Sequence, residues 1–324
     1  MEILKTFEKK LDDQEIPRKL TPNTIRTYKA GLNIILDLFE TNNLEFITKP
    51  EETLKKLESE YSNNDNTFVG KINIIMKVIN IMYPDNKEYE EYYNKYKKYR
   101  DLLSQNIKEQ YETHEPSLTQ AMKHTSINED QIIENSLLKL VKRSINNRLD
   151  ILALRNFLLY KTLNEAETRG DVCLSKLVIH KCNNVYDDKF NYLIINKKNR
   201  NIQYRQTNYK TKEKHGKITH DINNELLYKL YNKLYNAYKK LNIDGGFAFY
   251  NEDMKTPMNT NTLSVTYTRF GTKYINKPIS IQVMRVEKNS NTIDINDLEI
   301  RAKKQGHTIE TGLTKYTKKN FKKE

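Results

Sequence analysis

Cysteine, tryptophan and long apolar runs are what this sequence most plainly lacks. Its two cysteines, Cys173 and Cys182, are too few for a disulfide framework or a zinc cluster, and they fit a reducing compartment as ordinary thiols. No apolar run approaches the roughly 20 residues that span a bilayer. The first residues, Met1 to Thr6, run into mixed charges without the apolar stretch of a secretory signal. These absences set the expectation of a soluble intracellular protein with no membrane partner. Tryptophan is missing altogether, and glycine (9) and proline (7) are few, while Asn, Lys, Ile and Tyr abound. That is the usage of an AT-rich genome, so part of the lysine excess reflects coding bias. The formal charge of +13 still points to an anionic partner, most simply nucleic acid. There is no internal repeat, no carboxylate cluster that calls for a metal, and no motif that calls for a cofactor or a small-molecule substrate.

The length, 324 residues, allows two domains with real cores. Behind Thr21-Pro22, apolar Ile25, Tyr28, Leu32, Ile35, Leu36 and Phe39 recur at spacings of three and four, which predicts a helix over 21–39. Phe68 to Met82 and Tyr89 to Ile107 predict two more, separated by Pro84-Asp85-Asn86. On these helices Arg26, Lys29, Lys71 and Lys77 are candidates for tracking a phosphate backbone, although each taken alone is more readily a solvated charge. Weak periodicity around His114-Glu115-Pro116 places a linker at 108–127, between a helical domain at 1–107 and a larger one at 128–324.

In the larger domain, 129–144, 150–163 and 224–241 read as helices. Residues 176–180, 192–195 and 217–222 carry β-branched and aromatic residues between polar turns, which predicts a small antiparallel sheet. Tyr209 to Gly216 then form a basic hairpin tip. Further helices are expected near 260–270, 281–289 and 296–305, with Ser280 capping the start of the second and Gly306 the end of the third. The fold class is mainly α with a small antiparallel β-sheet (α+β).

Chemistry concentrates near the end of the chain. In the stretch from Gln305 to Tyr316, His307 precedes Tyr316 by nine residues, and threonines and lysines surround the tyrosine. A phenol with a pKa of about 10 is ionised in roughly one molecule per thousand at neutral pH, so it attacks only where neighbours stabilise the charge. Tyr316 is also one of 22 tyrosines, so it needs an anion site to stand out. Candidates for that site lie on separate elements: Arg169 after a helix, Lys210 at the hairpin tip, and Arg285 three residues after Gln282 on one helix face. Lys212 and Lys214 share the tip with Lys210 and compete with it.

The order Arg169, Lys210, Arg285, Gly306-His307, Tyr316, with nine residues from His to Tyr, resembles the tyrosine recombinase/integrase family. Thr21-Pro22-Asn23-Thr24-Ile25-Arg26-Thr27-Tyr28 looks like the first helix of that family's core-binding domain, so the likeness covers nearly the whole chain. Arg169-Gly170-Asp171 and the Tyr209-Lys210-Thr211 hairpin look most like integrases of large eukaryotic DNA viruses, virophages and related mobile elements. The resemblance implies a core-binding domain followed by a catalytic domain, acting on double-stranded DNA without metal or ATP. In it, Arg169 and Arg285 would hold the scissile phosphate and Tyr316 would form a 3′-phosphotyrosyl link. Lys210 would protonate the leaving 5′-oxygen, His307 would hydrogen-bond the phosphate or assist proton transfer, and Lys212 would contact DNA.

The resemblance further implies self-association, as a tetramer on paired sites, and a place in the host nucleus or a viral factory. The short tail after Tyr316 leaves little chain for a long exchanged C-terminal helix. One position departs from the pattern. The family usually has His or Lys where this chain has Gln282, and Gln donates a hydrogen bond but neither takes nor gives a proton near pH 7. Two alternatives follow: a weakened or inactive DNA-binding relative, and a type IB topoisomerase-like enzyme.

Overall fold

A computed structural model describes residues 2–13, 20–62, 64–166, 170–181, 185–243, 245–290, 295–305 and 307–318. The chain divides into two compact units, Met1–Thr113 and His114–Glu324.

The first unit is helical: α1 (Glu2–Asp12), α2 (Pro22–Leu38), α3 (Pro50–Tyr61), α4 (Asp65–Met82) and α5 (Lys87–Glu112). Helix α2 is capped by Thr21, whose hydroxyl accepts from the Thr24 N–H at 3.2 Å. Asn64 and Asn86 cap α4 and α5 in the same way. Helix α4 is the centre of the unit, burying Phe68, Ile72, Ile75, Val78 and Ile79 against Phe7, Leu32, Ile35 and Tyr96. Its burial on several sides explains a difference from expectation. Lys71 is only 8% exposed, with its ammonium 5.6 Å from the Tyr61 ring, and burial lowers its pKa. That placement does not present it to a phosphate. Lys77 is half-buried and its pKa is lowered by the same cause. Lys29 pairs with Glu8 of α1, and Arg26 is exposed.

Helix α5 runs on through Glu112, and α6 (Leu118–Lys123) occupies part of the stretch read as a linker, residues 108–127. The second unit continues with α7 (Ile127–Lys139), α8 (Arg148–Ala166), a 3₁₀ turn (Gly170–Leu174), β1 (Ser175–Ile179), β2 (Asn191–Asn196), β3 (Asn201–Gln206), α9 (Lys212–His215) and β4 (Ile218–Ile222). After these come α10 (Glu225–Lys240), α11 (Thr260–Ile275), α12 (Ile281–Ser290), α13 (Ile295–Gln305) and α14 (Ile309–Tyr316). The fold is thus mostly helical with a small sheet, as the residue pattern implies.

The sheet itself corrects two details. Its order is β1-β2-β3-β4, with β2-β3 and β3-β4 antiparallel but β1-β2 parallel, Ser175 facing Asn191. Strand β3 is an addition. Ile202 and Tyr204 point into the core while Gln203 and Arg205 are less buried, so only two apolar residues mark it. Helix α10 packs against β2 and β3 through Leu227, Leu230, Tyr231 and Leu234, and α13 lies against β4. Cys173 is fully buried and its thiol is pushed up to about 12 by desolvation, which makes it inert; Cys182 is outside the described residues. No helix among the described residues is long and apolar enough to cross a membrane.

Candidate active site

Five stretches of the chain meet around one polar cavity of about 480 Å³ in the second unit. Lys210 comes from the β3–β4 connection, Ser280, Gln282 and Arg285 from the start of α12, and Tyr316 from the end of α14. Gly170 lines the same cavity, and a Cβ built on it would sit 2.8 Å from Leu263, so glycine lets this turn lie against α11. Arg169 is outside the described residues, as is Gly306.

Helix α12 starts at the cavity because Ser280 caps it. The Ser280 hydroxyl accepts from the Gln282 N–H at 3.2 Å and its carbonyl accepts from the Met284 N–H at 2.9 Å. The first turn of a ten-residue helix therefore lines the cavity, and its partial positive charge favours an anion there. One turn on, Arg285 is 6% exposed. Its Nη2 donates to the Gln305 carbonyl at 3.4 Å, and its guanidinium carbon lies 4.8 Å from the centre of the Tyr316 ring. Glu287, on the same helix, is 2% exposed and accepts from the Thr125 N–H at 2.6 Å and from His124 Nδ1 at 2.8 Å. These bonds tie α12 to the chain just before α7.

Tyr316 closes an eight-residue helix capped by Thr308, whose hydroxyl accepts from the Thr311 N–H at 3.2 Å. Its ring packs on Val283 and Val286. The chain beyond it is pinned too: the Lys318 N–H donates to Ser290 Oγ at 2.8 Å, and His114 Nδ1 lies 2.9 Å from the Thr317 carbonyl. His307 stacks on Tyr316 with ring centres 4.8 Å apart and planes 8° from parallel. The imidazole fits because residue 312 is glycine; a Cβ there would lie 3.2 Å from His307 Cε1. His307 Nδ1 donates to the Thr308 carbonyl at 2.9 Å, and Nε2 lies 3.0 Å from Gln305 Oε1. A ring so engaged offers neither nitrogen to a phosphate in this arrangement.

Lys210 is exposed at the tip of its turn. The loop under it is firmly anchored: the Tyr209 hydroxyl donates to the Gly216 carbonyl at 2.7 Å. Asn191, 1% exposed, accepts from the N–H groups of Thr207 (2.9 Å) and Asn208 (2.8 Å) and donates to the Asp171 carbonyl at 3.3 Å. One amide thus joins the Lys210 loop to the turn that follows Arg169. Lys212 is 3.9 Å from Asp188 and does not line the cavity.

Sequence reasoning missed Asn191, Gln305 and Asn289, because a polar residue buried by context has no periodic signature. It also missed the hydroxyl face that Thr260, Ser264 and Thr268 of α11 turn to the cavity, although their spacing of four was visible. Among the described residues no group of three or more His, Cys, Asp or Glu is placed to hold a metal ion.

No protein-family model matches the chain, and no curated protein matches it. Among solved structures it is similar to XerA recombinase at 14% identity and a TM-score of 0.41, over 97% of this chain and 94% of that one. A likeness that loose carries no weight for the site.

Proposed function

We propose that this chain cuts and rejoins double-stranded DNA by transesterification at Tyr316, as a site-specific recombinase or integrase. The observation that supports this is the convergence of Lys210, Gln282, Arg285 and Tyr316 on one polar cavity. In this reading Tyr316 Oη gives its proton to water as it attacks phosphorus, the bond to the 5′-oxygen breaks, and a 3′-phosphotyrosyl ester forms. Lys210 gives its proton to the departing 5′-oxygen. Because one ester replaces another, the reverse attack by a 5′-hydroxyl reseals the strand without ATP. Arg285, with Arg169, neutralises the nonbridging oxygens as charge builds on them, where a planar guanidinium outperforms an ammonium. Gln282 adds a hydrogen bond, and the first turn of α12 adds its dipole. No metal or cofactor has a step in this scheme. Several copies act together on paired sites, a tetramer being the simplest assembly, and the substrate is a mobile element's own DNA.

A second reading keeps DNA binding and drops the chemistry. Two observations favour it: Gln282 stands where an acid or base is usual, and His307 commits both ring nitrogens inside the protein. A nicked suicide duplex, which traps the covalent intermediate, separates the two. The enzyme reading expects a protein–DNA adduct that disappears in Tyr316→Phe and maps to the peptide holding Tyr316. If no adduct forms at any salt concentration or pH while DNA is still bound, the binder reading stands instead. If about eight phosphates are contacted, log K should fall against log salt with a slope of roughly −7. A slope near zero would remove both readings.

A further inference from the structure

Gln305 is the residue at which the two groups nearest Tyr316 meet. It is 1% exposed, the last residue of α13, and apolar residues would be expected at so buried a position. Its backbone carbonyl accepts from Arg285 Nη2 at 3.4 Å, and its side-chain amide lies 3.0 Å from His307 Nε2. Asn289 of α12 donates to the same amide oxygen at 3.0 Å and is itself 1% exposed. Burying two amides is costly unless they are bonded, and Gln305 Nε2 and Asn289 Oδ1 find no partner in this orientation; with both amides turned over, Gln305 Nε2 donates to His307 Nε2 and to Asn289 Oδ1.

The Thr308 carbonyl can only accept, so His307 Nδ1 carries a hydrogen. With Nδ1 protonated, Nε2 of the neutral ring accepts, so it is the NH2 end of the Gln305 amide that bonds to it. The imidazole is then fixed at both ends, flat against the phenol ring, by partners from α13 and the start of α14. Resting on the proposed role of Tyr316, we propose that Gln305 is a positioning residue. Its amide holds His307 as a platform that sets the ring of Tyr316, and its carbonyl sets the guanidinium of Arg285. On this assignment His307 works through its flat face, and a proton from its Nε2 is not part of the reaction.

The test uses the full chain with ¹⁵N-labelled histidine, and it compares Gln305→Leu, which keeps bulk and loses the amide, with Gln305→Glu, which keeps an acceptor oxygen. In Gln305→Leu the Nε2 resonance of His307 should move and the ring-current shift imposed by Tyr316 should shrink. Single-turnover adduct formation on the suicide duplex should fall about tenfold or more, since misplacing a reacting group by about 1 Å costs on the order of 100-fold, with DNA affinity unchanged. At pH 8 Gln305→Glu, which presents only acceptors to an Nε2 that itself accepts, should behave like Gln305→Leu in both signals. His307→Phe, which keeps a flat face, should outperform His307→Ala at least several-fold. Should Gln305→Leu fail to fold, Asn289→Ala tests the same amide through its outer partner and should move the same Nε2 resonance. The inference is overturned if the Nε2 and ring-current signals of Gln305→Leu match the wild type, or if His307→Phe is as slow as His307→Ala. A wild type that forms no adduct overturns the proposed chemistry alone, because the resonances still decide whether Gln305 holds the ring.

Discussion

Arg285 and Lys210 line the same cavity and are held in opposite ways. Arg285 is 6% exposed, backed by the Gln305 carbonyl and set against Tyr316, on a helix that Glu287 fastens to the chain before α7. Lys210 is an exposed side chain on a loop whose backbone is tied down by Asn191 and Tyr209. On the proposed chemistry the difference matches two tasks. A group that neutralises charge on a phosphate works best when fixed beforehand, because no reorganisation is then needed as the charge develops. A group that delivers a proton has to reach the leaving atom, and four rotatable bonds on a fixed loop allow that.

The largest effect should come from breaking the fixed side. Arg285→Ala should slow adduct formation by about 10²–10³-fold, the range seen when one preorganised donor is removed. Arg285→Lys should recover little of it, since an ammonium cannot reproduce the fork geometry. A lysine variant that is nearly wild type in a single-turnover assay would mean that only charge matters and that the rigid placement is incidental.

Lys210→Ala should lose about 10²-fold through the missing proton donor, the lower end of the range for general acid catalysis. The decisive control is a duplex with sulfur in place of the bridging 5′-oxygen. A thiolate leaves without a proton, so this substrate should restore the rate of Lys210→Ala while leaving Arg285→Ala slow. The same pair of substrates also sorts the three lysines of the tip. If Lys212→Ala or Lys214→Ala shows the sulfur rescue and Lys210→Ala does not, the acid lies elsewhere on the loop.

The two sides are joined by a seam that holds a buried histidine. Gln206 at the end of β3 donates to the Lys304 carbonyl of α13 at 3.2 Å. His220 of β4 lies edge-on to Tyr204, and both of its ring nitrogens are buried without a hydrogen-bond partner. Burial, aided by the charge of Lys304, lowers its pKa from 6.5 to about 4. A group depressed in the folded state binds its proton more readily when unfolded. Its contribution is therefore full above about pH 6.5 and is lost as the pH falls towards 4. The loss is about 3 kcal/mol at most. Urea midpoints measured across that window should decline in the wild type and stay flatter in His220→Phe, which keeps the ring contact. Parallel declines in the two proteins would move the acid sensitivity to other groups.

Some of this was open to reading from the residues alone, for physical reasons. Helices α2, α4 and α10 announce themselves because apolar side chains must recur every three or four residues to share one face. The parallel pairing of β1 with β2 has no such mark, since partner choice is made by tertiary packing. Strand β3 carries only Ile202 and Tyr204 on its inner face, too few to separate it from a turn. Of the candidates named from the sequence, Lys210, Gln282, Arg285 and Tyr316 line one cavity, and His307 stacks on Tyr316 behind it. The groups that hold them, Asn191, Gln305 and Asn289, are amides made important only by burial, and burial is a property of the folded unit. Lys71 shows the reverse error: a charge expected on the surface is covered because α4 is central.

The smallest expected effect is the most diagnostic for the fixed side. Gly312 lies within α14, where alanine is the better helix former by up to about 1 kcal/mol. A Cβ at that position would lie 3.2 Å from His307 Cε1, close enough that the imidazole has to give by a few tenths of an ångström. Gly312→Ala should therefore leave the thermal midpoint unchanged or slightly raised, yet slow adduct formation by about threefold, less than the cost of a full 1 Å misplacement. Stability and rate would move in opposite directions from one methyl group. That outcome is expected only if the stack of His307 on Tyr316 sets the nucleophile; equal rates at equal stability would show that the ring finds its angle without the imidazole.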